Sequence, residues 1–167
     1  MERFEELKKE IIERAEKADA CKCEKKRLTD SKDTSELMQV IKDNFSWASR
    51  NGLDSDLIEK YRADFNSADI YCNESTNNGY LICNSLVEEV GGNAIACVRG
   101  NATIQNVRGN ATIQNVWESA TIQNVWENAY ISTYSLIECK LSDNAIYRIR
   151  ESNTILYASD EIKFKKV

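Results

Sequence analysis

GNATIQNVR (100–108), GNATIQNVW (109–117) and ESATIQNVW (118–126) are three near-identical nine-residue units in tandem. A fixed short period means that each unit is one rung that cannot bury its own apolar side, so a continuous core forms only when rungs stack. The apolar positions are Ala102, Ile104 and Val107, then Ala111, Ile113 and Val116, then Ala120, Ile122 and Val125. Ala and Ile stand two apart, the spacing of one inward strand face. Ile and Val stand three apart, which breaks strand parity. With both pointing inward, the chain is expected to turn a corner at Gln-Asn, where Asn106, Asn115 and Asn124 tolerate left-handed backbone and bond locally. A second corner is expected at Gly-Asn or Glu-Ser. Continued alternation from Val107 would carry position 109 inward, and with it the equivalent Glu118 and Glu127, but a carboxylate does not belong in a dry core.

Nine residues are too few to close a coil around a filled interior, whereas two units, about 18 residues, suit one turn of a β-solenoid. The flanks carry the same pattern in weaker form: GNAIACVR (92–99), DNAIYRIR (143–150) and ESNTILYAS (151–159). Taken in pairs, 92–108, 109–126, 127–142 and 143–159 give roughly four coils of 16–18 residues, with partial coils at each end. A hairpin-based β-sandwich is the structural alternative, but it does not need such regular spacing. Before the repeats, IYCN, GYLICNSLVEEV and NAIACV read as short strands between turn residues. After them, in DEIKFKKV, Ile162 and Phe164 are expected to face inward while Lys163 and Lys165 guard the terminal edge.

Upstream the texture is helical. Phe4, Leu7, Ile11, Ala15 and Ala18 recur at spacings of three and four and predict a helix from Glu2 to about Ala18. Cys21 to Asp33, with Lys22, Lys25, Lys26 and Arg27, reads as a linker. Asp33 with Glu36 three residues on has the form of a capping box, and Leu37, Val40, Ile41, Phe45 and Ala48 follow at helical spacing. Asn51-Gly52 is expected to supply a left-handed stop. A third helix after Asp54 or Ser55 places Leu57, Ile58, Tyr61 and Phe65 on one face. The predicted fold class is therefore α+β: a small helical cap domain of two or three helices (1–66) followed by a short β-solenoid (67–167).

Composition narrows the function. The net charge is −5 and neither half is basic, so the footprint of a phosphate backbone is missing and nucleic acid is a disfavoured partner. No apolar run approaches the length needed to span a bilayer, and the charged N-terminus MERFEELKKEIIERAEKADA lacks the apolar stretch of a signal peptide. The expected location is the cytoplasm, where the six cysteines remain free thiols.

Histidine is absent, which removes the commonest catalytic base, and no phosphate-binding Gly-rich motif occurs. Glu118 and Glu127 are the carboxylates to consider for a solenoid enzyme. Cys21-Lys-Cys23 is a weak match to zinc spacing, and the repeats lack the Asp of calcium-binding nonapeptides. Neither a metal nor a cofactor is expected. Thr103, Thr112 and Thr121 are read as a structural ladder. The last position of each unit is more pointed, running Arg99, Arg108, Trp117, Trp126. It follows the inward Val and so faces out, and Trp and Arg are the residues most enriched at binding hot spots. With two units per coil, Arg99 lies near Trp117 on one edge and Arg108 near Trp126 on the other. The competing account is that each Trp stacks on the Arg stem beside it.

ELMQVIKDNFSWASRNG (36–52) followed by tandem GNATIQNV units resembles repeat proteins of gut bacteria and their phages. The solenoid part is more loosely similar to bactofilins, which polymerise end to end, although the helical N-terminal domain and the charged C-terminal strand depart from them. Small phage-associated proteins of this kind often inhibit host defence systems, so the resemblance implies an anti-defence inhibitor in the host-cell cytoplasm. The expectation is a non-enzymatic intracellular module that binds a protein, with a homodimer allowed. A self-assembling scaffold of bactofilin type and a solenoid enzyme are the alternatives.

Overall fold

Each TIQNV segment is a strand: β5 (Thr103–Val107), β6 (Thr112–Val116) and β7 (Thr121–Val125). The computed structural model describes residues 2–158. In it, successive units alternate between two sheets. One sheet holds β1 (Ile70–Cys72), β2 (Tyr80–Cys83), β4 (Ile95–Val98), β6, β8 (Tyr130–Thr133), β10 (Ile146–Ile149) and β11 (Thr154–Tyr157), in that order. The other holds β3 (Leu86–Val90), β5, β7 and β9 (Lys140–Leu141). Like residues stack: Thr103, Ile104, Asn106 and Val107 of β5 pair in parallel with the same residue types of β7. The fold class is thus α+β, helices followed by a short β-solenoid of about four coils over residues 80–149.

The core is the inward set read from the repeat. Ala102, Ile104, Val107, Ala111, Ile113, Ala120, Ile122 and Val125 are all buried, and they meet Leu81, Val87, Ala96, Ile131, Leu141 and Tyr147 from the flanking coils. The Gly-Asn and Glu-Ser corner is also where expected. Gly100, Gly109, Glu118 and Glu127 all have left-handed backbone, with φ of 66°, 68°, 59° and 58°. The Gln-Asn corner is a correction. Each strand runs unbroken through Gln-Asn, and Asn106, Asn115 and Asn124 are not left-handed. The parity break is instead taken up inside the sheet. Between β4 and β6, Ala96 pairs with Ile113 but Cys97 with Asn115, so Gln114 is the extra residue of a bulge. The Asn side chains then bond along the stack, Asn124 Nδ2 donating to Asn106 Oδ1 at 3.2 Å and to the Gln105 carbonyl at 3.1 Å. Thr103 and Thr121 also stack, with hydroxyls 3.0 Å apart. Thr112 lies in the other sheet, so the threonines form no single row.

The ends of the coil stack differ from expectation. The first coil is β2–β3, ahead of residue 92, and the segment ESNTILYAS does not complete a last one. Instead β11 reverses and pairs antiparallel with β10, Ile149 opposite Thr154. The tight turn at Arg150–Asn153, with Asn153 left-handed at φ 48°, causes the reversal. The expected edge strand DEIKFKKV lies outside the described residues.

The chain divides into two compact units, Met1–Ala68 and Asp69–Val167. The first contains six helices among its described residues: α1 (Glu2–Lys17), α2 (Lys22–Asp30), α3 (Thr34–Asp43), α4 (Phe45–Asn51), α5 (Ser55–Lys60) and α6 (Arg62–Ser67). The expected linker is α2. Its N-cap is Cys21, whose sulfur accepts the Glu24 N–H, and Leu28 is its one buried side chain. A single apolar anchor leaves no periodic pattern to read. Asp33 caps α3 as expected, accepting the Glu36 N–H at 2.9 Å, while the Glu36 carboxylate takes the Lys32 N–H at 2.8 Å. Asn44 divides what reads as one helix into α3 and α4. Gly52 ends α4 with extended backbone, not the left-handed stop. A Cβ there would come within 3.3 Å of Arg14 Cβ, so close approach accounts for the glycine. Leu57, Ile58, Tyr61 and Phe65 are buried as their spacing implies.

Candidate interaction site

The residue after each inward Val sits at the mouth of a corner, held by one backbone bond to the coil before. The Trp117 N–H donates to the Val98 carbonyl and the Trp126 N–H to the Val107 carbonyl, both at 3.0 Å. Pairing of Val98 with Val116, and of Val107 with Val125, makes Arg99 the neighbour of Trp117 and Arg108 the neighbour of Trp126. The two pairs lie on opposite edges of the coil stack, because β6 leads from the larger sheet to the smaller and β7 leads back. All four side chains are half-buried.

The two edges differ in chemistry. On the Arg108–Trp126 edge, Arg108 is engaged by Glu89, its Nε and Nη2 donating to the two carboxylate oxygens at 2.8 Å each. That fork holds the Glu89 carboxyl below its ordinary range and raises Arg108. Below it the turns are laced together. Asn110, Asn128 and Asn144 each donate from Nδ2 to the Oδ1 of the preceding asparagine, Asn93, Asn110 and Asn128, at 3.2–3.4 Å. Glu127 Oε2 accepts the Gly109 N–H, and Asp143 Oδ2 accepts the Glu127 N–H. This edge spends its polar groups on its own turns.

The Arg99–Trp117 edge continues in aromatic and aliphatic surface. Tyr134 follows inward Thr133 as Trp117 follows inward Val116, and it is 61% exposed. After it the nonapeptide pattern stops, and Tyr134–Cys139 forms a connection to β9 in which Leu136 is 64% exposed. Tyr147 anchors that connection from inside. Its hydroxyl accepts the Ile137 N–H at 2.7 Å, lies 2.9 Å from Thr133 Oγ1 and donates to the Ser135 carbonyl at 3.2 Å. Sequence reading did not single out Tyr134 or Leu136. The signal available was the loss of period after Thr133, where TYSLIECK stands in place of a Gly-Asn or Glu-Ser turn.

Glu118 and Glu127 fall on opposite edges, so they do not converge as an acid/base pair. Within the helical unit, a cavity of about 230 Å³ is lined by Ile11, Leu28, Val40, Ile41, Trp47 and Leu57, with Cys21 and Glu24 also on its wall. Among the described residues, no helix is long and apolar enough to cross a membrane. No family model, curated protein or solved structure matches the chain.

Proposed function

We propose that this chain is a non-enzymatic intracellular binding module that docks on a protein through the Arg99–Trp117–Tyr134 edge of its solenoid. The observation that carries the reading is the contrast between the edges. Both edges bond an arginine internally, Arg108 with Glu89 on one and Arg150 with Asn115 on the other, but among the described residues the second adds the exposed side chains Tyr134 and Leu136 to its half-buried Trp117. Aromatic anchors flanked by a basic residue are the composition of interface hot spots. In the setting that the resemblance to phage-associated repeat proteins implies, the partner is a host defence protein and the module its inhibitor. Wild type and single variants used as bait in host lysate test this. Trp117→Ala and Tyr134→Ala are expected to lose the captured partner, about tenfold or more in affinity, while Trp126→Ala retains it and all three unfold as wild type. Unchanged capture by Trp117→Ala would overturn the reading.

The scaffold reading has a specific observation against it. Polymerisation of a solenoid needs an open parallel edge. At the C-terminal end, among the described residues, the larger sheet instead ends in antiparallel β11, and β9 of the smaller sheet has only two residues, one of them a lysine. Light scattering that showed growth with concentration would favour the scaffold over the binding module.

A further inference from the structure

Two thiols in the helical unit are placed to react with each other. Cys21 Sγ and Cys23 Sγ stand 2.8 Å apart, and both residues are exposed. The local fold sets this up. Cys21 is the N-cap of α2, with extended backbone at φ −61° and ψ 152°, and its sulfur accepts the Glu24 backbone N–H at 3.5 Å. Cys23 lies in the first helical turn, which brings its side chain back beside the cap. The separation is shorter than the ~3.7 Å between two thiolates sharing a tetrahedral zinc with bonds near 2.3 Å. A disulfide bond is ~2.05 Å, so the pair stands nearer to that length than to a metal-bridged one, and a shared metal would have to push it apart.

The two sulfurs are also unequal. Hydrogen bonds from Cys23 and then from the Glu24 N–H lower the Cys21 thiol, and the same contact raises Cys23. One sulfur is thus the better thiolate and the other the proton donor, the division found in dithiols at helix N-termini. The remaining thiols do not compete. Cys72, Cys83 and Cys97 are buried, and burial pushes Cys83 and Cys139 up to about 11.

We propose that Cys21 and Cys23 form a thiol–disulfide exchange site that a low-molecular-weight disulfide of the glutathione type oxidises to an intrachain disulfide. Cys21 thiolate attacks one sulfur of the incoming disulfide, whose S–S bond breaks and whose other half leaves as a thiolate and is protonated. Cys23 gives up its proton and attacks the Cys21 sulfur of the mixed disulfide, expelling the second thiol. The pair loses two electrons and the small disulfide gains them. Exchange runs in reverse with excess thiol.

The full chain, equilibrated in glutathione buffers of graded poise, quenched in acid and alkylated, is read by intact mass and peptide mapping. The wild type is expected to lose two alkylatable thiols together, both in the Cys21–Cys23 peptide, with no glutathione retained. Cys23→Ser should accumulate glutathione on Cys21, and Cys21→Ser should react at least tenfold more slowly. Both positions are exposed and serine also caps helices, so circular dichroism should match wild type. Glutathione retained on Cys21 of the wild type, or a pair still reduced when Cys139 has reacted, would overturn the proposal.

Discussion

Glu127 Oε2 accepts the backbone N–H of Gly109, one coil earlier, at 2.6 Å. Both residues are left-handed, and both occupy the first position of a nine-residue unit. The same slot therefore holds the residue that tolerates this backbone best and one that tolerates it poorly. The glutamate offsets its strain by satisfying the amide above it, and Asp143 Oδ2 repeats the device one coil on by accepting the Glu127 N–H at 3.1 Å.

The glycines of this slot are not equivalent. A Cβ at Gly109 would stand 2.7 Å from the Gly92 nitrogen and 2.9 Å from its carbonyl oxygen, whereas at Gly100 the nearest atom is Glu118 Oε2 at 3.7 Å. Gly100→Ala is expected to cost about 1 kcal/mol, the left-handed penalty alone. Gly109→Ala adds a backbone clash and should cost about 3 kcal/mol or more. Urea unfolding of the two variants checks this, and equal midpoints would contradict it.

Among the described residues Tyr147 is the largest fully buried side chain of the solenoid, and burial raises its hydroxyl pKa. Tyr147→Phe leaves the Ile137 N–H without its 2.7 Å acceptor. A loss of about 1–3 kcal/mol is expected, and amide exchange should quicken in 134–139 before it does in β5 or β7. Uniform quickening would mean that the hydroxyl does not hold that connection.

Burial pushes the Cys83 and Cys139 thiols up to about 11, from an ordinary 9.0. The unfolded chain releases these protons first. The stability that the neutral thiols contribute is therefore complete below pH 9 and is lost as pH rises toward 11. For Cys83, which is fully buried, the loss is on the order of 2 kcal/mol. Cys83→Ala should be less stable at pH 7 yet show a flatter decline between pH 9 and 11. An unchanged alkaline slope would show that Cys83 is not responsible.

The inward Ala-Ile-Val set, the Gly/Glu corner and two units per coil are all legible in the repeat, because burial and the aversion of a carboxylate to a dry core act on each unit alike. The Gln-Asn corner was not legible. Parity shows that Ile104 and Val107 cannot both face inward on a regular strand, but it does not distinguish a corner from a bulge. In β6 the neighbouring β4 makes it a bulge, Gln114 being accommodated between the partners of Ala96 and Cys97, whereas β5 and β7 carry the same break in register with each other. The α2 helix was missed for a similar reason, since its cap is a cysteine and its anchor is Leu28 alone.

Arg99, Arg108, Trp117 and Trp126 are equivalent in sequence, each the outward residue after an inward valine. Sequence alone determines that equivalence, because it follows from strand alternation and the period. Only the tertiary structure separates them. Alternation of units between two sheets sends Arg108 to an edge where Glu89 engages it, and Trp117 to one where Tyr134 and Leu136 extend the exposed surface. The reversal of β11 onto β10 is likewise a tertiary decision. A strand-forming segment carries no mark of whether it continues the coil or folds back, and the left-handed turn at Asn153 settles that direction.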